Sequence, residues 1–238
     1  MEAAWQEVVA RVRPGPALLD ATTAERTVWL ALALGAALVV VPGVWRLVRV
    51  AVTVVHELGH AVVGMAVGRS FTGLVLRPDM SGHTVTVGPA RGPGRVVTTW
   101  AGYPAPALVG AGLLHAGTAG WAPPVLAALL VLLAVGALRV RSFYTALVVL
   151  GCLAGAAVLW WVGSPTLQGL VLVAAGVMLV LGAWRHLGAV LGSPDRGSDP
   201  AVLAQLTRVP TAVWTTTFVL ALGAASWVAA RAVLPLLG

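Results

Sequence analysis

The feature that most constrains this chain is an apolar run with three ionisable residues in its middle. The run extends from Arg49 to Arg69, and the nineteen residues between the two arginines are nearly all apolar or small. A stretch of this length is what a bilayer-spanning helix needs. His56, Glu57 and His60 lie near its centre, although ionisable residues inside a membrane helix are costly. The run therefore predicts a functional site on a membrane helix.

The spacing of these three residues suits a metal ion. On a helix, residues four apart project from one face, so His56 and His60 can share an ion while Glu57 lies beside them. In this H-E-x-x-H pattern, two neutral imidazoles bind Zn²⁺ with a third protein ligand, and the glutamate takes a proton from water that zinc has acidified to a pKa of roughly 7. The alternative is that the three side chains only hydrogen-bond to neighbouring helices. Because the chain has only five histidines, the spacing favours the metal site.

The composition indicates an integral membrane protein. Of the 238 residues, 59% are hydrophobic and only 10% are charged, whereas a soluble domain carries about 25% charged residues. The net charge is +7, and all fifteen basic residues are arginines, which cluster at the ends of apolar runs. That distribution excludes a nucleic acid as the partner, because no basic face could follow a phosphate backbone. The single cysteine, Cys152, excludes an internal disulfide.

Seven apolar stretches follow one another along the chain, and each is about long enough to cross a bilayer. They predict an all-α polytopic membrane protein with about seven transmembrane helices. The predicted spans are residues 27–45, 46–67, 96–116, 121–138, 143–162, 165–184 and 210–234. Residues 27–238 then form one transmembrane domain, preceded by a cytoplasmic or interfacial segment, 1–26. Within that segment, residues 3–12 form either a short interfacial helix or part of a solvated tail.

The arginines predict how these spans are oriented. With seven spans and a cytoplasmic N-terminus, twelve of the fifteen arginines fall on the cytoplasmic side, as the positive-inside rule requires. The segment after the second span and the loop 187–208 then share the cytoplasmic side. The metal site would lie about halfway along the second span.

A short β-hairpin is predicted between the second and third spans, at residues 71–93. Two β-prone runs, 74–76 and 84–87, flank a segment with turn chemistry that contains Asp79, and His83 follows it. The hairpin is either a plain connector or an exposed edge to which an extended peptide adds as a strand. In the second case, Val85 and Val87 are candidates for contact with a peptide substrate.

A third metal ligand has few candidates. Asp199, at the start of a predicted helix in the loop 187–208, is favoured over Asp195, because a helix would hold it rigidly. The alternative role for Asp199 is an ordinary helix cap. His115 is expected near the outer end of its span, and His186 is expected to be an interfacial residue at a membrane boundary.

The third predicted span has an unusual backbone composition. It contains Gly102, Tyr103 and Pro104, and a second proline and further glycines follow them. Such residues in a membrane helix indicate irregular backbone that packs closely against protein or lines a cavity. The span is therefore expected to lie beside the helix that carries His56, by close packing or with Gly102, Tyr103 and Pro104 in contact with a substrate.

These pieces together resemble the site-2 protease class of intramembrane zinc metallopeptidases, in particular its small bacterial branch without a PDZ domain. The residues that carry the resemblance are His56-Glu57-Leu58-Gly59-His60, the hairpin after them, Ala101-Gly102-Tyr103-Pro104 and Ser198-Asp199. The resemblance implies Zn²⁺ bound by His56, His60 and Asp199, with Glu57 as general base. It also implies a membrane protein substrate and a location in the bacterial cell membrane. The chain departs from the class in containing no asparagine.

The sequence therefore predicts a zinc metalloprotease that hydrolyses peptide bonds of substrates within or beside the lipid bilayer. Two other functions remain open. A catalytically silent relative would bind membrane helices as a regulatory partner. A transporter would use His56, Glu57 and His60 to relay protons or to bind a transported ion.

Overall fold

The computed structural model describes residues 2–18, 25–77, 82–138, 140, 142–192 and 195–237. Within these ranges the chain is mostly helical, with one pair of strands. The helices are α1 (Glu2–Arg11), α2 (Glu25–Val40), α3 (Pro42–Ala66), α4 (Pro93–Trp100), α5 (Pro104–Thr118), α6 (Ala122–Ala137), α7 (Phe143–Val162), α8 (Pro165–Gly192), α9 (Asp199–Thr207) and α10 (Thr211–Val233). The strands are β1 (Ser70–Leu76) and β2 (Gly82–Val87).

Four of the described helical segments are long and apolar enough to cross a membrane: α3, α7, α8 and the run Thr211–Leu236. The seven predicted spans are not confirmed. Helices α2 and α6 have 16 residues each, fewer than the roughly 20 that a bilayer requires. The third predicted span is divided into α4 and α5, because Pro104 has no N–H to continue the helical hydrogen bonds. Ala105 still donates to the carbonyl of Ala101, so the division is a kink.

The centre of the fold is the antiparallel pair α5 and α8. Glycines allow the two backbones to approach closely, as is common between membrane helices. A methyl group on Gly110 would lie 2.7 Å from the carbonyl oxygen of Gly176, and one on Gly117 would lie 2.7 Å from the carbonyl oxygen of Gly169. Helix α2 packs against the same α8, and α10 packs against α5. The site described below is built at one end of this pair.

The close approach of α5 and α8 predicts that Gly110→Ala destabilises the protein. The added methyl would also meet the side chain of Val180 at 2.9 Å, and such overpacking costs about 1–3 kcal/mol. Gly112→Ala on the same helix is the matched control, because no described residue lies within 4 Å of its added methyl and alanine favours a helix by about 1 kcal/mol over glycine. Thermal unfolding in detergent should show a lower midpoint for Gly110→Ala only. Equal midpoints for the two variants would contradict the close packing of α5 against α8.

The N-terminal segment is fastened to one end of the bundle. Gly15 donates to the carbonyl of Gly120 and Leu18 to the carbonyl of Thr118, each at 2.9 Å. The guanidinium of Arg11 donates to the carbonyl oxygen of Trp161 and lies 4.6 Å from the centre of its ring. Residues 11–18 therefore lie beside the α5–α6 and α7–α8 turns. Of the two alternatives for residues 3–12, the helix is present as α1.

This placement differs from the prediction for the segment 1–26, because the described residues 11–18 do not share an end of the bundle with the loop 187–208. The loop 187–208 begins near the other end of α8, about 30 Å from the start of that helix at 1.5 Å per residue. The reason is that α2 runs in the same direction as α8. Gly35 packs against Ala174 and Val177, and Val39 accepts a hydrogen bond from the guanidinium of Arg185. Helix α2 therefore starts at the end of the bundle where α8 starts.

The predicted hairpin is confirmed as a two-stranded antiparallel sheet, with Ser70 opposite Val87 and Leu76 opposite Gly82. Its strands end before residue 88, so the last part of the predicted hairpin 71–93 is not strand, and the turn that holds Asp79 lies outside the described residues. The sheet is attached to α3, because the hydroxyl of Thr84 donates to the carbonyl oxygen of Glu57 at 2.9 Å. Strand β2 is thereby held beside the H-E-x-x-H helix.

Candidate metal centre

Helix α3 presents the two predicted histidines to one point. The Nε2 atoms of His56 and His60 are 3.1 Å apart, and the rings meet edge to face with their centroids 4.8 Å apart. The other ring nitrogen of His60, Nδ1, lies 2.7 Å from the carbonyl oxygen of Thr98 on α4. That contact fixes Nδ1 as the protonated nitrogen, so the lone pair of Nε2 faces His56.

Asp199 completes the group. It is the first residue of α9, after Ser198 at the N-cap position, so Asp199 is not itself the cap. Its Oδ2 atom is 3.2 Å from Nε2 of both histidines. Burial raises the pKa of the Asp199 carboxyl, but the adjacent imidazoles of His56 and His60 outweigh burial and hold this pKa below its usual range. The group is therefore a carboxylate.

The three donor atoms fit a metal ion. Their separations are 3.1, 3.2 and 3.2 Å, and tetrahedral zinc ligands at bond lengths of 2.0–2.1 Å lie about 3.3 Å apart. Oδ2 of Asp199 is buried, and within the described residues no hydrogen bond of normal geometry reaches it. Two imidazoles and one carboxylate are a donor set of catalytic zinc sites. His56, His60 and Asp199 can therefore hold a metal ion, as predicted.

Gly102 packs against the two imidazoles. A methyl group there would lie 2.5 Å from Cε1 of His60 and 2.7 Å from Cε1 of His56. The kink between α4 and α5 thus closes one side of the metal centre. Gly102 was predicted as a substrate-binding residue, and in the structure its neighbours are the candidate ligands. Pro104, predicted for the same role, is fully buried behind the site.

A cavity of about 850 Å³ opens onto the metal centre. Glu57 is buried and lines this cavity. Gly82 lies against its side chain, since a methyl on Gly82 would be 2.7 Å from Cγ of Glu57. Threonines from three elements also line the cavity. They are Thr53 on α3, Thr84 and Thr86 on β2, and Thr98 and Thr99 on α4.

Other predicted residues are placed as follows. Tyr103 lines the cavity, whereas Val85 and Val87 are exposed and belong to the other face of β2. Asp195 also lines the cavity, but its Oδ1 accepts a hydrogen bond from Gly197 N–H at 3.1 Å, and it is not part of the three-residue donor group. Asp195 is therefore a cavity residue in a turn.

Comparison with known proteins identifies the family. The Peptidase M50B-like family matches residues 29–229. The chain belongs to this family. No curated protein and no solved structure matches the chain. The resemblance to site-2 proteases is thereby confirmed, and family and apolar helices together make this M50B-like chain an integral membrane protein of a metallopeptidase family.

One residue of the M50B-like site differs from its predicted role. His186 was expected to be an interfacial residue, but its ring centroid lies 5.1 Å from that of His56 and 5.5 Å from that of Tyr103. The reason is that α8 does not end near residue 184, where its apolar run ends, but continues to Gly192. The extra turns carry His186 over the metal centre and convert residues 187–192 of the predicted loop into helix.

A second residue without a predicted role is Phe218 on α10. It is fully buried, and its ring lies 5.0 Å from Tyr103 and 6.1 Å from Trp100. The indole nitrogen of Trp100 donates to the hydroxyl of Thr217 at 2.9 Å. These contacts attach the kinked α4–α5 unit to α10. An apolar residue in an apolar span gave no sign of this role in the sequence.

Proposed function

We propose that this M50B-like chain is a zinc-dependent endopeptidase that hydrolyses peptide bonds of membrane-embedded or membrane-adjacent protein substrates. The observation that carries the proposal is the convergence of His56 Nε2, His60 Nε2 and Asp199 Oδ2 on one point in the cavity that Glu57 lines. This is the donor set and the base that metal-assisted hydrolysis of a carbonyl compound needs.

Each residue has a distinct part in this reaction. His56, His60 and Asp199 would hold zinc, which would supply Lewis acidity toward the carbonyl and a water with a pKa of about 7. Glu57 accepts the proton that the attacking water loses, and it returns a proton to the amine that leaves when the peptide bond breaks. The carbonyl of Thr98 keeps His60 in the tautomer that binds metal. Burial of the site strengthens these electrostatic interactions.

The substrate would be an extended segment. An intact helix keeps its carbonyls in its own hydrogen bonds, so a membrane-spanning substrate must unwind locally to expose the bond that is cleaved. Strand β1 already makes a bridge to Val140 on its outer side, whereas β2 pairs only with β1 among the described strands. We infer that the substrate adds as a strand to β2 near Val85 and Val87 and then passes Tyr103. Gly102 and Pro104 would lie on the far side of the metal ligands.

The membrane arrangement belongs to the same proposal. We infer a location in a bacterial cell membrane, with the kinked α4–α5 unit counted as one crossing. Arg185, Arg196 and Arg208 lie around the metal-centre end of the bundle, and the positive-inside rule assigns that end to the cytoplasm. A cytoplasmic N-terminal segment is not retained, because residues 11–18 lie at the opposite end.

Metal analysis of the purified protein tests this proposal. The wild type should bind about one zinc ion per chain, whereas His56→Ala and Asp199→Ala should each weaken zinc binding by more than about 100-fold, because a ligand matters more than the residues that support it. Asp195→Ala is the matched control, since it removes another carboxylate from the same cavity and should retain zinc. Zinc lost from Asp195→Ala but not from Asp199→Ala would contradict the assignment. A wild type without affinity for zinc would end the proposal.

A further inference from the structure

The two candidate histidine ligands are held in different ways. A metal-binding histidine usually donates its other ring N–H to an oxygen, which fixes the orientation of the ring. His60 follows this rule through the carbonyl of Thr98. His56 does not: its Nδ1 atom is buried, and among the described residues no hydrogen-bond partner reaches it. Some other interaction must therefore hold the His56 ring in place.

Two rings from other helices surround His56. Tyr103, from the α4–α5 kink, meets it edge to face with a centroid separation of 4.9 Å and an interplanar angle of 88°. His186, from α8, lies 5.1 Å away and is tilted by 31°. Tyr103 and His186 are themselves 5.5 Å apart. We call His56, Tyr103 and His186 the ring cluster, because each of its rings contacts the other two.

One outer member of the ring cluster is deeply buried, and the other is half-buried on a helix that packs into the same apolar cluster. Tyr103 is only 4% exposed and packs on Phe218 of α10. His186 precedes Leu187, which is 1% exposed and belongs to the same apolar cluster. The Tyr103 ring therefore has little freedom to move, because packed interiors resist displacement, and the buried Leu187 fixes the turn of α8 that carries His186. His56 comes from a different helix, so its ring rests against a surface that α5, α8 and α10 build.

We infer that Tyr103 and His186 are positioning residues that fix the His56 imidazole by ring packing, in place of the hydrogen bond that His56 lacks. A rotation of the His56 ring would move its Nε2 away from Asp199 and His60 and would open the metal centre. His186 acts through His56 and not as a ligand, because its nitrogens do not join the group of donor atoms within 4.8 Å of one another. This inference rests on the proposed zinc site.

The test compares the effect of ring shape with that of ring chemistry at position 186. Zinc dissociation constants are measured by chelator competition for the wild type, His186→Ala and His186→Phe. His186→Ala removes the packing surface and should weaken zinc binding by about 10–100-fold, as loss of an orienting partner does. His186→Phe keeps a flat ring and should bind zinc within about threefold of the wild type, since it restores the packing. The control is His115→Ala, because His115 lies in the last turn of α5, at the other end of the bundle.

A second readout separates positioning from general stability. Cobalt added to the metal-free proteins should give an altered visible absorption spectrum for His186→Ala but not for His186→Phe, since the spectrum reports the ligand geometry. Wild-type affinity in His186→Ala would overturn the inference. Affinity equally weak in His186→Phe and His186→Ala would also overturn it, because the polar atoms of His186 would then be needed. If His186→Ala does not fold, Tyr103→Leu and Tyr103→Phe provide the same comparison. Absence of zinc from the wild type would instead reject the proposed function.

Discussion

Glu57→Gln is expected to lower the rate of peptide-bond hydrolysis by at least about 10²–10⁴-fold, the usual contribution of a general base, while leaving zinc bound. Glutamine has nearly the same shape as glutamate, so it keeps the contact with Gly82 and the lining of the cavity. It cannot take a proton from water. The measurement is cleavage of a membrane protein substrate by protein reconstituted in lipid, together with zinc content of the same samples.

The control for this substitution is Asp195→Asn, which neutralises another carboxylate that lines the cavity. It should retain activity, because Asp195 is bonded within its own turn. Preserved turnover in Glu57→Gln would remove Glu57 as the base. The two other functions give different outcomes. A silent binding protein would cleave nothing in the wild type and would tolerate the change, whereas a proton or ion transporter would lose transport in a protein without metal.

Gly102→Ala is expected to abolish zinc binding at the concentrations that saturate the wild type. The added methyl would lie 2.5 Å from Cε1 of His60 and closer still to Nε2, a separation that the packed interior cannot accept without movement. The imidazoles cannot retreat without leaving Asp199, and Gly102 belongs to a buried kink. Zinc content and hydrolysis should therefore be lost together, unlike in Glu57→Gln.

The matched control for Gly102→Ala is Gly94→Ala, on the helix that leads into the same kink. Its added methyl would make an ordinary contact of 3.4 Å with Val67. Zinc binding and thermal stability should stay near those of the wild type. Zinc affinity at the wild-type level in Gly102→Ala would show that the two rings can separate without losing the metal, and would contradict the tight packing described for this centre.

The sequence predicted the chemical core of the site because that core depends on local geometry. His56 and His60 are four residues apart on one helix, and any helix brings them to one face. Asp199 was predicted from chemistry, since a carboxylate at a helix start was available in a chain with few others. Asp199 lies far along the chain from His56 and His60, but the need for a third metal ligand left only a few carboxylates as candidates.

His186 was not predicted because a hydropathy pattern reports where an apolar run ends, and a helix can continue beyond it. The backbone hydrogen bonds of α8 persist past Arg185 to Gly192, where side chains line a cavity instead of facing lipid. The position of Val85 and Val87 was uncertain for a related reason. Alternation along β2 defines two faces, and only the packing of the sheet on α3 decides that Thr84 and Thr86 face the cavity.

The number of spans and the side of the N-terminal segment depended on helix direction, which hydropathy does not contain. Helices α2 and α3 are separated by Val41 alone. Because consecutive spans alternate in direction, the hydropathy pattern predicts that these two helices form an antiparallel pair. The glycine contact at Gly35 instead sets α2 alongside α8 in the same direction. Close packing between residues far apart in the chain thus decided the arrangement.

The fastening of residues 11–18 to the α5–α6 and α7–α8 turns has a consequence for labelling the protein in cells. Leu18 is bonded to Thr118, whereas the turn that contains Asp195 opens onto the metal centre. In the proposed membrane arrangement, an epitope placed beside α1 and one placed in that turn would report from opposite compartments. Antibody access to only one of them in intact cells would identify the compartment that the metal centre faces.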